Sequence, residues 1–292
     1  MDLRALRAFT EVVRQGGFSQ AAEVLHTTQS NVSKTVRQLE EEAGLPLLDR
    51  IGHRSRLTVA GEVVHARALK MLADRADLVR ELEEMRGLRG GRLRIGMPPI
   101  GSSTLFAPHF ATYRALYPGI EIALVEQGSS RLEEMVRDGD IDLGALLMPV
   151  PDAFDWQETR RSPVVAVVAE ADPLPRDLPV PLAALADHPF ILFEAGFALN
   201  AMVMDACGKA GIQPRIVARS SQPDFIFALV AAGLGIGFLP RMMVETHAPQ
   251  GVRAVTLTAP DILWHMVLAW RRDGYLSAAA RAWLALLRGE GA

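Results

Sequence analysis

The stretch TTQSNVSKTVRQLEEEA, residues 27–43, carries two kinds of chemistry on one helix. Val32, Val36, Leu39 and Ala43 recur at spacings of three and four, which predicts a buried face. Ser30, Lys34, Arg37 and Glu41 fall opposite, with Gln29 and Ser33 on the flank near the start. Hydroxyl, amide and amine groups at a helix start suit hydrogen bonding to the edges of nucleic-acid bases, and Arg37, one turn on, suits a phosphate. Glu40, Glu41 and Glu42 would repel phosphate, so that end should face away from a duplex. An ordinary amphipathic helix with a solvated face would look the same, so the helix alone leaves both readings open.

A second basic group follows in LPLLDRIGHRSRLTVAGE. Arg50, Arg54 and Arg56 sit in a turn-rich segment between short apolar runs, which reads as a two-stranded wing. Arginine suits phosphate or a narrow minor groove. His53 stands among them as a solvated residue or a phosphate contact. A third group is made of hydroxyls where a strand gives way to a helix. Ser102, Ser103 and Thr104 open one such junction, Gly128, Ser129 and Ser130 a second, and Ser221 and Gln222 a third. Hydroxyls beside free backbone N–H groups bind anions, although serine and threonine also cap helices with no ligand at all. Phe197 and Asn200, in FEAGFALN, offer an aromatic wall and an amide, or a simple loop.

No other constellation points to catalysis or a cofactor. There is no G-x-S-x-G elbow and no cysteine–histidine signature. The seven histidines show no metal spacing, and RDGDIDLG lacks the terminal glutamate of a calcium loop. GLGIGF follows a helix and precedes a strand, the reverse of the dinucleotide order. No cofactor, no metal and no enzymatic activity are expected. Cys207 is the only cysteine and reads as a packed residue.

Elements must hold these groups in place. LRALRAFTEVVRQGG has helical periodicity and a Gly16-Gly17 stop; FSQAAEVLH predicts a short helix capped by Ser19. Two short helices across a tight polar turn form a helix-turn-helix, whose second helix enters the major groove. Thr58 caps a long helix to about Gly87, on which Val64, Met71, Leu78 and Met85 recur at intervals of seven. Such a stripe needs a partner, either its own domain or a second copy. The remaining two hundred residues alternate strands and helices, which predicts parallel α/β sheets in two units joined near Arg161–Pro163 and again near Leu263.

The chain has 292 residues, 49% of them apolar and 22% charged, with a net charge of −3, which excludes coating of nucleic acid by bulk charge but allows a local basic reader. No apolar run spans a bilayer, and charges interrupt the first residues as a signal peptide would not allow. The chain is expected in the cytoplasm, with no membrane partner.

FSQAAEVL, TQSNVSKTVRQLE and LTVAG together resemble the N-terminal domain of LysR-type transcriptional regulators. Leu48 stands where that family usually has Phe, and His53 where it often has Arg. YPGIEIALVEQGSS, RDGDIDLGALL and LVAAGLGIGFLP are similar to its effector-binding half. The resemblance implies a winged helix-turn-helix over residues 1–58 and a linker and dimerisation helix with hinge over 59–90. An α/β effector domain like a periplasmic solute-binding protein follows over 91–292. Within it, subdomain I would hold 91–162 and 266–292, and subdomain II 163–265. It implies promoter DNA, a small-molecule effector, a homodimer or homotetramer and RNA polymerase as partners. The other reading is a solute-binding or small-molecule enzyme module carrying a helical N-terminus.

Overall fold

A computed structural model describes residues 1–51, 54–85, 91–176, 178–258 and 260–289. The chain separates into two compact units, Met1–Arg86 with Arg137–Gly139, and Gly87–Val136 with Asp140–Ala292.

The N-terminal unit begins with α1 (Leu3–Gln15), capped by the Asp2 carboxylate and stopped by Gly16 at φ 72°. Only a residue tolerant of the left-handed region ends a helix this way. The second helix, α2 (Phe18–Val24), starts from extended Gly17, so the expected cap at Ser19 lies inside the helix and caps nothing. The third, α3 (Gln29–Ala43), is capped by Thr28, whose Oγ1 accepts from Asn31 N at 3.3 Å. Phe9, Val12, Ala21, Val36, Leu39 and Leu48 close the core between them. Two antiparallel strands follow, β1 (Leu48–Ile51) and β2 (Arg54–Leu57). Glu40, expected only as a repellent charge, accepts from Leu47 N at 2.8 Å and Leu48 N at 3.1 Å and so anchors the root of the strand pair.

The long helix α4 (Val59–Met85) starts at Thr58. The Thr58 hydroxyl accepts from Gly61 N at 2.9 Å and donates to Pro46 O at 2.7 Å. A Cβ on Gly61 would lie 2.0 Å from Leu47 O, so this position admits no side chain. Val64 is half-buried against the unit's own core, while Met71, Leu78 and Met85 stand 49%, 56% and 75% exposed.

In the C-terminal unit, β3 (Arg92–Met97), α5 (Ser102–Leu116), β4 (Glu121–Glu126), α6 (Ser129–Asp138) and β5 (Leu143–Leu147) form parallel pairs β3–β4 and β3–β5. The start of β5 is pinned to β3 because buried Asp142 accepts from Arg94 N at 2.9 Å and Arg94 Nε at 3.2 Å. This is what the last aspartate of RDGDIDLG does. Another parallel pair is made by β7 (Pro189–Phe193) and β8 (Arg215–Ser220), with α7 (Ala198–Lys209) between them in sequence.

The sheets are not all parallel as expected. A 16-residue strand, β6 (Phe154–Ala169), pairs antiparallel with β11 (Leu263–Arg271) along its first part and with β9 (Gly237–Pro240) and β10 (Val252–Thr256) along its second. The sheet order is β10-β6-β11-β5-β3-β4, with β9 on β6. The segment near Arg161–Pro163, expected as a joint, lies within continuous β6, which changes partners there while its hydrogen bonds stay satisfied; Leu263, the other expected joint, opens β11. The remaining helices are α8 (Pro223–Ala231), α9 (Arg241–His247) and α10 (Ala278–Arg288). Tyr113 on α5 donates its hydroxyl proton to Ala279 O at 2.8 Å, seating α10 on α5.

Candidate functional site

The polar start of α3 is open to solvent. Gln29, Ser30, Lys34 and Arg37 are exposed and Ser33 is half-buried. Thr28 and Asn31 order the turn, since Asn31 Nδ2 donates to Thr27 Oγ1 at 3.0 Å and the Thr28 and Ser30 hydroxyls lie 3.1 Å apart. Arg37 forms an exposed ion pair with Glu41 at 3.2 Å, which a phosphate can displace at little cost. Arg56 is exposed on β2, opposite Asp49. Arg50 and Arg54 occupy the two strands, opposite Ser55 and Ile51, and their side chains lie outside the described residues, as does His53.

The hydroxyl-bearing junctions lie at strand ends. Met97 and Glu126 end β3 and β4 in register, so the starts of α5 and α6 are neighbours. Phe193 and Ser220 end β7 and β8 in register, which does the same for α7 and α8. Crevices at the carboxyl ends of strands are where open α/β sheets take ligands. The starts of α6 and α7 also meet directly. Ser130 N donates to Gly196 O at 3.4 Å, and Ala198 N to Ser129 Oγ at 3.5 Å. Gly128 lies so close that a Cβ there would be 2.9 Å from Gly196 O and 3.8 Å from the Phe197 ring.

The individual side chains differ in what they can offer. Ser129 accepts with its oxygen and keeps its proton to donate. Ser102 already donates to Pro98 O, so it must rotate before it can hold an anion. Thr104 lies 3.3 Å from His247 Nδ1, and Ser103 is exposed. Phe197 is buried against Phe193, with ring centres 5.5 Å apart. Asn200 is buried and accepts from Arg219, a residue the sequence did not single out. Ser221 is half-buried and Gln222 is exposed as the residue before α8, its N–H satisfied by Ser220 Oγ at 3.0 Å. The GLGIGF glycines serve backbone packing: Gly233 follows α8 at φ 76°, and a Cβ on Gly235 would lie 2.3 Å from Pro189 O. Among the described residues no cluster of side chains could hold a metal ion, and no helix is long and apolar enough to cross a membrane.

Comparison with known proteins matches both parts of this architecture. Residues 3–62 match the bacterial regulatory helix-turn-helix family of LysR type, and residues 86–292 match the LysR substrate binding domain. The HTH-type transcriptional regulator YwbI of Bacillus subtilis is 37% identical over 285 residues, covering 97% of this chain and 95% of that protein. The transcriptional dual regulator GltC of the same organism is 33% identical over 268 residues, covering 90% of this chain and 88% of its own. Among solved structures, full-length BenM aligns with a TM-score of 0.60 at 26% identity, over 99% of this chain and 96% of its own. A full-length OxyR variant from Pseudomonas aeruginosa shares the fold at a TM-score of 0.68 and 24% identity, over 99% of this chain and 95% of its own. With its helix-turn-helix at one end and its α/β effector-binding part at the other, the chain belongs to the LysR family of DNA-binding transcriptional regulators.

Proposed function

We propose that the protein reads a promoter through the start of α3 and the β1–β2 wing, as a dimer joined along α4, and that a small anion in the strand-end crevice sets its activity. The observation that carries the DNA reading is the exposed row Gln29, Ser30, Lys34 and Arg37 on a capped helix, with exposed Arg56 on the strand pair of the same unit. Gln29, Ser30, Ser33 and Lys34 read bases; Arg37, Arg50, Arg54 and Arg56 hold phosphates. Met71, Leu78 and Met85 supply the dimer seam, and Val64 contributes less because its own unit already covers it. Two dimers form a tetramer, and promoter-bound protein acts on RNA polymerase in the cytoplasm without catalysing a reaction.

In this reading the linker and hinge run over 59–90, and the effector part divides into 91–162 with 266–292 and 163–265. Its anion site is built from Ser102, Ser103, Gly128, Ser129, Phe197, Asn200, Ser221 and Gln222. The fit of Gly128 against Gly196 and the spare proton of Ser129 support it. Electrophoretic mobility shift on the DNA upstream of its own gene, against scrambled DNA of equal length, tests the first half. Loss of the difference between the two DNAs would reject it. A thermal-shift screen of small metabolites tests the second half, because a ligand that binds only the folded state raises the melting temperature.

A further inference from the structure

We propose that Thr28 is a positioning residue for base reading: it gives its hydroxyl proton to Ser30, which leaves Ser30 a donor that favours guanine or thymine over cytosine. The proposal rests on Ser30 meeting a base edge in the major groove, and the test below separates the two.

Thr28 caps α3, and its Oγ1 accepts from Asn31 N at 3.3 Å. The same Oγ1 lies 3.1 Å from Ser30 Oγ. Among the described residues neither side chain makes another hydrogen bond. Each hydroxyl carries one proton, so one of the pair donates to the other. Cooperativity assigns the donor. An oxygen that accepts a hydrogen bond has its own O–H polarised and donates more strongly. Thr28 accepts from the backbone, and Ser30 accepts from nothing else. The chain therefore runs one way, from Asn31 N–H to Thr28 and from Thr28 to Ser30. The reverse order would make Thr28 Oγ1 accept twice and gain none of that strengthening.

What Ser30 is left with decides the base. A hydroxyl inside a helix can give its proton to the carbonyl four residues back, as Thr35 does to Asn31 O at 2.8 Å. Ser30 is the second residue of α3, so the carbonyl four residues back belongs to His26, before the helix begins. Its proton is thus kept for whatever docks on the exposed face opposite Val32, Val36 and Leu39. In the major groove guanine N7 and O6 and thymine O4 accept, cytosine N4 only donates, and adenine does both. A donating Ser30 bonds to guanine or thymine and meets a second donor at cytosine. A serine free to turn would take either kind of partner, and the bond from Thr28 removes that freedom.

The test uses the full-length protein and duplexes selected from a randomised library, with base preferences compared within each protein. Wild type, Ser30→Ala, Thr28→Ser, Thr28→Gly and Thr28→Asp are each put through it. Ser30→Ala marks the position that Ser30 reads, as the one whose preference it flattens. Wild type should favour guanine or thymine over cytosine there about fivefold, the worth of one hydrogen bond. Thr28→Ser keeps the hydroxyl and should match it. Glycine and aspartate both serve at a helix start, so α3 should persist in those variants. Thr28→Gly frees Ser30 to turn and should flatten the preference at that position alone. In Thr28→Asp the carboxylate only accepts, so Ser30 must donate to it and turn its lone pairs outward. The preference should then reverse, to cytosine or adenine. The added charge weakens all sequences alike and leaves the ratio between bases untouched; if it abolishes binding, Thr28→Gly decides alone. A guanine or thymine preference that survives in Thr28→Gly would overturn the relay and leave Ser30 a reader by itself. Loss of preference at every position in Thr28→Gly would make Thr28 a direct DNA contact and overturn it as well. If Ser30→Ala flattens no position, Ser30 reads no base and both fall.

Discussion

Lys34 and Arg56 differ in what a substitution should reveal. Lys34 is exposed one turn into α3, the place proposed for base reading; Arg56 is exposed on a strand, the place proposed for a phosphate contact. Lys34→Ala should change which operator positions matter, at about 1–3 kcal/mol for a lost base contact. Arg56→Ala should weaken all DNA alike and flatten the dependence on salt. Titrating both variants on operators with single base changes checks this; an unchanged preference in Lys34→Ala would reject the base-reading role. His65, on α4, presents its ring edge-on to Phe9 with centres 6.1 Å apart. Burial there pulls its pKa below the ordinary 6.5, so the folded protein holds it neutral. The unfolded chain takes up the proton first as pH falls. His65 therefore costs no stability above about pH 6.5 and costs progressively more below it, as the unfolded state binds the proton that the folded state refuses. His65→Leu should lose less stability than wild type between neutral pH and pH about 5 in urea titrations of each.

Helix α4 is where an element outgrows its unit. Met71, Leu78 and Met85 fall on one stripe and stay in water in the single chain. Leu78→Asp should give a species of about half the native mass in sedimentation, and operator binding should fall with it, because an unpaired charge in an apolar seam is costly. Retention of the native mass would return the stripe to packing within one chain. The seven-residue recurrence was legible in the sequence because a helix repeats its surface faithfully. So were α1 and α3, where glycine stops and polar caps coincide with a change of periodicity; α2 was legible from its apolar spacing, without the cap expected at Ser19. The first part of β6 was not: FDWQETRRSP carries charges, ends on a proline and has β11 as its strand partner there. Helix α9 is seven residues long and opens after Pro240, too short for periodicity to declare itself. The hydroxyl junctions were visible as residue types, but their hydrogen bonds were not. Nothing in GSST says that Ser102 spends its proton on Pro98. Arg219 was overlooked because an arginine on a half-exposed strand is ordinary until its neighbours are known.

At the scale of the whole molecule, sensing and reading reside in separate compact units, so they should be separable by mutation. Ser129→Ala should weaken the response to effector, at about 0.5–3 kcal/mol of binding, without altering affinity for operator. Calorimetry with the ligand from the screen, alongside operator titrations of the same variant, checks it; equal effector affinity in wild type and variant would leave Ser129 a helix start only. What the reading unit can do with such a signal is narrowed by Gly61. The Leu47 carbonyl occupies the space where a side chain on α4 would stand, and Thr58 ties the same helix to Pro46. The start of α4 and the root of the wing are thus welded into one lever. The helix has no pivot at its origin at which a rotation could be absorbed. In the proposed dimer, a turn imposed on the two α4 helices should carry both wings with it, and the spacing between the two reading heads should change.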